Sequence, residues 1–143
     1  MNLSAILAEL ADTFATVPNV RVFDYPPDSL PVGQGDVVYL ELDEIDYQRA
    51  FAKGMAMVDV VATVVVQMTD PRAARVRMRE LLSSGTGVAG TRSLIDAVED
   101  ARTLGGLTGG MVLYRAAPPK VEMDGEARRL TVEMTMGIPV GRT

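Results

Sequence analysis

The sequence predicts an α+β fold: a single mainly antiparallel β-sheet with an N-terminal helix and two further helices packed on it. Three observations support this fold. Apolar residues recur at helical spacing in three stretches, and the runs 55–68 and 129–137 have the apolar pattern of strands. The segments also follow the order helix, three strands, two helices, then two or three strands. The 143 residues contain no internal repeat, so we predict one domain over 1–143.

The first predicted element is a helix over Leu3–Phe14, whose apolar residues form one helical face. Asn2 is suited to cap its first turn because an Asn side chain accepts hydrogen bonds from free backbone N–H groups. Pro18 ends the helix, since the residue before a proline avoids the α conformation. A short strand is predicted over Val20–Phe23.

Two longer strands are predicted next, over 36–42 and 55–68. All even positions from 56 to 68 are apolar, whereas the odd positions include Asp59, Thr63 and Gln67. One face of this strand is therefore expected to be buried and the other partly buried. The run exceeds the usual strand length of about 3–10 residues. We therefore expect either a bulge within it or one end that projects beyond the domain.

The remaining elements are bounded by cap and turn signals. Asp70-Pro71 combines an N-cap acid with proline at the first helical position, and Ser93–Asp96 fits a capping box. The second of these helices is expected to end at Gly105, acting as a C-cap. Strands are predicted over 111–116, 121–123 and 129–137, with a hairpin turn at Asp124-Gly125.

The composition excludes the commonest catalytic devices. The chain has no cysteine and no histidine, so it lacks a thiolate nucleophile, a Ser-His-Asp triad and imidazole or thiolate metal ligands. The segment Gly105–Gly110 follows a helix and precedes a strand, the reverse of a phosphate-binding loop. We therefore expect neither enzymatic activity nor a bound cofactor.

The charge and the hydropathy of the chain limit the classes of partner that it is expected to bind. The net charge of −5 disfavours tight binding to nucleic acid, which requires Lys and Arg to neutralise phosphates. Asp59, Thr63 and Gln67 interrupt the most apolar run, so no membrane span is expected. The N-terminus lacks a basic region before its apolar residues and is interpreted as a helix of the mature fold.

Two charged clusters are the candidate interaction residues. The connection 43–54 contains Asp43, Glu44, Asp46, Tyr47, Arg49, Phe51 and Lys53. Its acids could bind a hard cation, form a solvated hairpin tip or contact a partner, and the two aromatic residues favour partner contact as interface anchors. In the helix after Asp70, the spacing places Arg72, Arg75 and Arg79 on one face and Arg77 off it. These arginines could be solvated and partnered by Glu80, or could contact the acidic surface of a neighbouring subunit.

The order of the segments resembles that of tail terminator proteins of long-tailed, siphovirus-type bacteriophages. An amphipathic helix ending in VPNVRVFDYPPDSLP leads to DVVYLELDEIDYQRAFAKG and a valine-rich strand. TDPRAARVRMRELLSSGTG, SLIDAVEDARTLGG and a closing amphipathic strand follow. The resemblance covers nearly the whole chain. It is carried mainly by the helix that opens at 70–74 and by the segment from Ser93 to Gly106.

The resemblance implies a structural protein of the virion tail neck, assembled in the host cytoplasm. Such a protein forms a homo-oligomeric ring, expected to be a hexamer, that caps the tail tube and joins it to the head connector or stopper. DNA passes through the ring without sequence-specific binding, which an acidic wall would favour. Replacing Tyr47 and Phe51 with Ala is expected to weaken assembly while leaving the fold.

Two alternatives remain open at the level of sequence. The first is another neck or minor tail protein, such as a stopper or head–tail adaptor, since these have similar sizes and compositions. The second is a small ligand-binding α+β domain, which would need a deep pocket.

Overall fold

The computed structural model describes residues 2–28, 35–47, 55–83, 93–101, 104–106, 110–124 and 127–141. The described residues form three α-helices, one 3₁₀ turn and six strands. The helices are α1 (Leu3–Phe14), α2 (Pro71–Leu82) and α3 (Leu94–Asp100), and the 3₁₀ turn is Leu104–Gly106. The strands are β1 (Val20–Phe23), β2 (Asp36–Asp46), β3 (Met55–Gln67), β4 (Val112–Ala116), β5 (Lys120–Asp124) and β6 (Ala127–Gly141).

The six strands form one sheet in the order β1-β2-β3-β6-β4, and β5 also pairs with β6. β3 and β6 pair along their whole length, from Met55↔Gly141 to Gln67↔Arg129. β4 and β5 pair with different halves of β6. Only the pairing of β1 with β2 is parallel. The α+β prediction of one mainly antiparallel sheet with an N-terminal helix and two further helices is confirmed.

The hydrophobic core lies between the three helices and one face of the sheet. β3 contributes its even-numbered residues, such as Val60 and Val64, and β6 contributes Leu130, Met134 and Ile138. These side chains point to the same face because side chains alternate along a strand. We call this the helix-covered face and the opposite one the second face. The buried apolar residues of all three described helices belong to the core on the helix-covered face.

Local signals determine where α1 and α2 begin. The side chain of Asn2 accepts a hydrogen bond from the N–H of Ala5 at 3.0 Å, as predicted for a helix over Leu3–Phe14. Asp70 likewise accepts from the N–H groups of Arg72 and Ala73, and Pro71 occupies the first turn. Both caps satisfy backbone donors that have no partner within the helix. The inner face of α2 buries Ala74, Met78 and Leu81.

α3 begins as predicted and ends earlier. Ser93 and Asp96 form the predicted capping box. The helix stops at Asp100, however, and a separate 3₁₀ turn covers Leu104–Gly106, so the prediction of a C-cap at Gly105 is wrong. Leu104 has a positive φ of 48° and a side chain that is almost fully buried. Leu104 therefore packs in the core with a backbone conformation outside the α region.

The long strand β3 has neither the bulge nor the projecting end that its length suggested. It contains no bulge, because its pairing with β6 continues without a register shift. Neither end projects beyond the domain, since Ala56 near its start and Val66 near its end are both buried. Its length is stabilised by β6, which continues to Gly141 instead of ending at 137. Pro139 is tolerated because it lies beyond Gly137, where the pairing of β6 with β4 ends.

The bulge lies instead in β2. Leu42 pairs with Val60 and Ile45 pairs with Val58, so Asp43 and Glu44 together lie opposite the single residue Asp59. β2 continues past this bulge to Asp46. The prediction that strand structure ends at 42 is therefore wrong. Of the three alternatives for these acids, the hairpin tip is ruled out for Asp43, Glu44 and Asp46, which lie within the strand. Two residues opposite one bend the strand and re-aim its side chains.

Candidate functional site

The predicted acidic cluster lies at the end of β2 and extends onto the second face of the sheet. Asp43 and Glu44 are exposed at the bulge, and Asp46 is half-buried opposite Met57. Tyr47 follows directly and remains 49% exposed. Arg49, Phe51 and Lys53, the other predicted residues of this region, lie outside the described residues.

Asp43 also borders a hollow in the middle of the second face, with a volume of about 360 Å³. Its polar rim is formed by Glu41, Asp43 and Glu133, which are all exposed. Its lining is completed by Tyr39, Leu42, Val61 and Thr63. The register explains this grouping, because Glu41 pairs with Val61 and Thr63 pairs with both Tyr39 and Glu133. We call this set the acidic hollow.

The carboxylates of the acidic hollow are spread around its rim. No group of three or more acids in the described part of the chain is arranged so that it could hold a metal ion. Its carboxylates also form no ion pair within that part. Carboxylates that form no internal ion pair can pair with basic side chains of another molecule, and such pairs contribute to specificity and orientation at an interface.

The predicted arginine cluster lies on the outer side of α2. Arg72, Arg75 and Arg79 are exposed, and we call these three residues the arginine stripe. Within the described ranges none of them forms an ion pair. Val76, exposed to 41%, lies beside them. The stripe therefore offers positive charge with a small apolar area at its edge.

Arg77 has a different environment, as its position off the stripe predicts. Its guanidinium donates to Asp36 at 2.6 Å and to the carbonyl of Pro18 at 3.1 Å. Glu80 lies 3.7 Å from the same group. Glu80 was one possible partner of the four arginines of this helix, and among the described residues it pairs with Arg77. Arg77 thus stabilises the fold, whereas the stripe remains available for a partner.

A second hollow of about 280 Å³ lies beside the stripe. Its lining residues are Arg75, Met78, Arg79, Leu82, Ser83, Pro119 and Leu130. Most of the lining is apolar, and two arginines border it. Next to it, the outer strand β5 exposes Val121 and Met123.

One buried carboxylate has an unusual position. Asp59 is only 9% exposed, and its Oδ1 has no hydrogen-bond partner among the described residues. It lies in β3 opposite the bulge of β2 and opposite Gly137 of β6. A buried acceptor without a partner is costly to the isolated subunit. Burial of Asp59 on the second face indicates that this face is more enclosed than the polar residues of the strand suggest.

The predicted interface residues do not form one continuous site. Asp46 pairs with Met57 near the start of β3, whereas α2 begins just after β3 ends at Gln67. Ten residues of strand separate Met57 from Gln67, a distance of about 33 Å. The acidic cluster and the arginine stripe are therefore two separate surfaces of the subunit.

Sequence reasoning missed Glu41 and Glu133 as site residues. Each occupies a polar position of its strand, and they meet only because β2 and β6 flank β3 in the sheet. The alternation of apolar and polar residues in β6 predicts which of its residues are polar. Which residues of other strands lie beside them depends on the order of strands in the sheet. The strand register is therefore the signal that assigns these acids to a common hollow.

No helix in the described ranges is both long and apolar enough to cross a membrane. Models of known protein families give no match to the chain, and a search of curated proteins also returned no match.

Proposed function

We propose that this chain is a structural subunit of a ring in the tail neck of a long-tailed bacteriophage, and that it acts as a tail terminator. The observation that carries the proposal is the correspondence between the resembling segments and the elements of the fold. The quoted segments supply α1, β1, the acidic strand β2, the valine-rich β3, α2, α3 and the closing β6. The order that resembles the family is thus the order that builds the sheet and its helices.

A structural role without catalysis is supported by the chemistry of the surface. The chain contains neither histidine nor cysteine, and the groups that stand out are carboxylates and guanidiniums on separate surfaces. Such groups contribute to specificity and orientation between proteins more than to bond-breaking chemistry. Uncompensated charge on two sides of a small domain favours assembly with further copies or partners.

In the proposed ring, one end contacts the tail tube and the other contacts the head connector or stopper. DNA passes through the lumen, and the net charge of −5 would limit retention of its phosphates. The location is then the virion neck, with assembly in the host cytoplasm. No cofactor is required for these contacts.

The ring is tested by size-exclusion chromatography with light scattering, followed by negative-stain imaging. The proposal expects closed rings with six-fold symmetry. A compact monomer at all protein concentrations would contradict it.

Partner binding separates a tail terminator from a stopper or head–tail adaptor. The protein is incubated with purified tail tubes and, separately, with connector-filled heads. A terminator is expected to cap the end of the tubes. Binding to heads but not to tubes would replace the terminator role with that of a stopper or adaptor.

The hollow beside the arginine stripe favours a second candidate function, the binding of a small anionic amphiphile. Its apolar lining would hold a hydrocarbon portion, and Arg75 and Arg79 would bind a carboxylate. Thermal unfolding with a series of fatty acids tests this candidate. A rise in melting temperature that Arg75→Gln/Arg79→Gln abolishes would support it, and no shift would exclude it.

A further inference from the structure

We propose that the subunits join head to tail, with the arginine stripe of one copy seated on the acidic hollow of the next. This inference rests on the proposed ring function and names the surfaces that would close the ring. It commits to a second copy of this chain as the occupant of the hollow.

The first argument is charge complementarity. The hollow carries the carboxylates of Glu41, Asp43 and Glu133, and the stripe carries three guanidiniums. Among the described residues, none of these six side chains forms an ion pair. Like charges around one hollow repel each other, and this cost is relieved when guanidinium groups enter it. Arginine suits this role because its planar fork binds carboxylates through two parallel hydrogen bonds.

The second argument is size. Arg72 and Arg79 are seven residues apart on a helix, which corresponds to about 10 Å along its axis. Glu41 and Glu133 lie on strands that flank β3. Two inter-strand spacings across the sheet and an offset of two residues along it separate them by about 12 Å. The two charge sets therefore have similar spans.

The third argument is apolar complementarity within the charged frame. The exposed Val76 lies at the edge of the stripe beside Arg72, and the lining of the hollow includes Val61 and Tyr39. Docking would bury these side chains while the charges pair around them. An apolar centre with a polar rim is the usual anatomy of a protein interface.

The fourth argument is topology. The helices cover one face of the sheet and α2 directs its stripe away from that face, whereas the hollow lies on the second face. One subunit cannot fill its own hollow with its own stripe. A contact between two different surfaces of identical subunits is heterologous, and it produces a ring when the rotation between subunits closes. This is the type of contact that a six-fold ring requires.

Charge reversal tests the pairing in the full chain. The hollow variant is Glu41→Lys/Glu133→Lys, and the stripe variant is Arg75→Glu/Arg79→Glu. Each is expected to weaken assembly at least tenfold by light scattering, because like charges then face each other across the contact. The control Glu99→Lys/Arg128→Glu reverses exposed charges outside both surfaces and is expected to assemble like the unmodified chain.

Combining the hollow and stripe reversals, either in one chain or by mixing the two variants, provides the decisive result. A chain carrying all four reversals restores opposite charges at every contact and is expected to form rings again. An equimolar mixture of the hollow and stripe variants is also expected to form rings, since the two chains can alternate with complementary surfaces. An isologous dimer that pairs stripe with hollow twice would also be rescued by mixing. The mass of the mixed product therefore decides: rings support the head-to-tail contact, and heterodimers as the largest species overturn it.

The outcomes separate this inference from the proposed function. If the unmodified chain forms no ring, the proposed function fails and the inference fails with it. If it forms rings that the reversals leave intact, or if neither recombination restores them, only the pairing is overturned. Should a reversal variant lose its cooperative unfolding transition, the Glu41→Gln/Glu133→Gln and Arg75→Gln/Arg79→Gln variants replace it. These are then expected to weaken assembly, and unchanged assembly would overturn the pairing.

Discussion

Arg77 donates a hydrogen bond from its Nε to the carboxylate of Asp36 at 2.6 Å, and this contact joins the middle of α2 to the start of β2. The side chain of Asp36 is only 12% exposed and that of Arg77 28%. The same guanidinium binds the carbonyl of Pro18, in the turn between α1 and β1. The side chain of Arg77 thus connects α2 to the start of β2 and to the turn between α1 and β1, which are distant from it in sequence.

The first prediction concerns this contact. Arg77→Ala is expected to lower the free energy of unfolding by about 2 kcal/mol, the range for a hydrogen bond to a charged group. The loss arises because Asp36 remains mostly buried without its partner. Urea denaturation followed by circular dichroism measures it. Arg75→Ala, on the exposed side of the same helix, is the control and is expected to change stability by less than about 0.5 kcal/mol. Equal effects of the two variants would refute the role assigned to Arg77.

A second prediction concerns the N-cap of α2. Asp70→Ala is expected to destabilise the protein by about 1 kcal/mol, because the N–H groups of Arg72 and Ala73 lose their acceptor. Asp70→Asn retains an acceptor oxygen and is expected to retain most of the stability. Thermal denaturation of the three proteins provides the comparison. A loss with Asn as large as with Ala would indicate that charge, not capping, is responsible.

The third prediction concerns the buried carboxylate in β3. Asp59→Val removes an acceptor that has no partner at Oδ1 and adds a residue favoured in strands. The unfolding free energy of the isolated subunit is therefore expected to rise by about 1 kcal/mol. Asp59→Asn, which keeps a polar group at the site, is expected to give no comparable gain. Chemical denaturation at a concentration where the protein is monomeric measures the difference, and a stability loss with Val would contradict this account.

The fourth prediction concerns the end of the acidic strand. Replacing Tyr47 and Phe51 with Ala is expected to weaken assembly, since exposed aromatic side chains are common interface anchors. Tyr47 is half-exposed, so its removal is expected to affect the fold little. Sedimentation velocity measures assembly, and thermal denaturation serves as the control for folding. Unchanged assembly would exclude this region from the subunit contacts.

Much of the fold follows from short-range signals in the sequence. The capping of α1 by Asn2, the Asp70-Pro71 start of α2 and the capping box at Ser93 each depend on residues within one helical turn. The alternation in β6 identifies its core side for the same reason. These features could be predicted because the interactions that cause them are local.

The features that could not be predicted depend on neighbours distant in sequence. The bulge at Asp43 and Glu44 is defined by the pairing of β2 with β3, and the early end of α3 depends on the burial of Leu104. Met123 is 62% exposed although it lies in a strand, because β5 is an outer strand of the sheet. The acidic hollow likewise exists only once β2, β3 and β6 are placed side by side.

The subunit count of the assembled protein tests the central claim most directly. Native mass spectrometry of the unmodified chain is expected to give a dominant species with six times the subunit mass, in equilibrium with few intermediates because a closed ring satisfies every contact. A monomer or an isologous dimer as the largest species at micromolar concentration would contradict the ring.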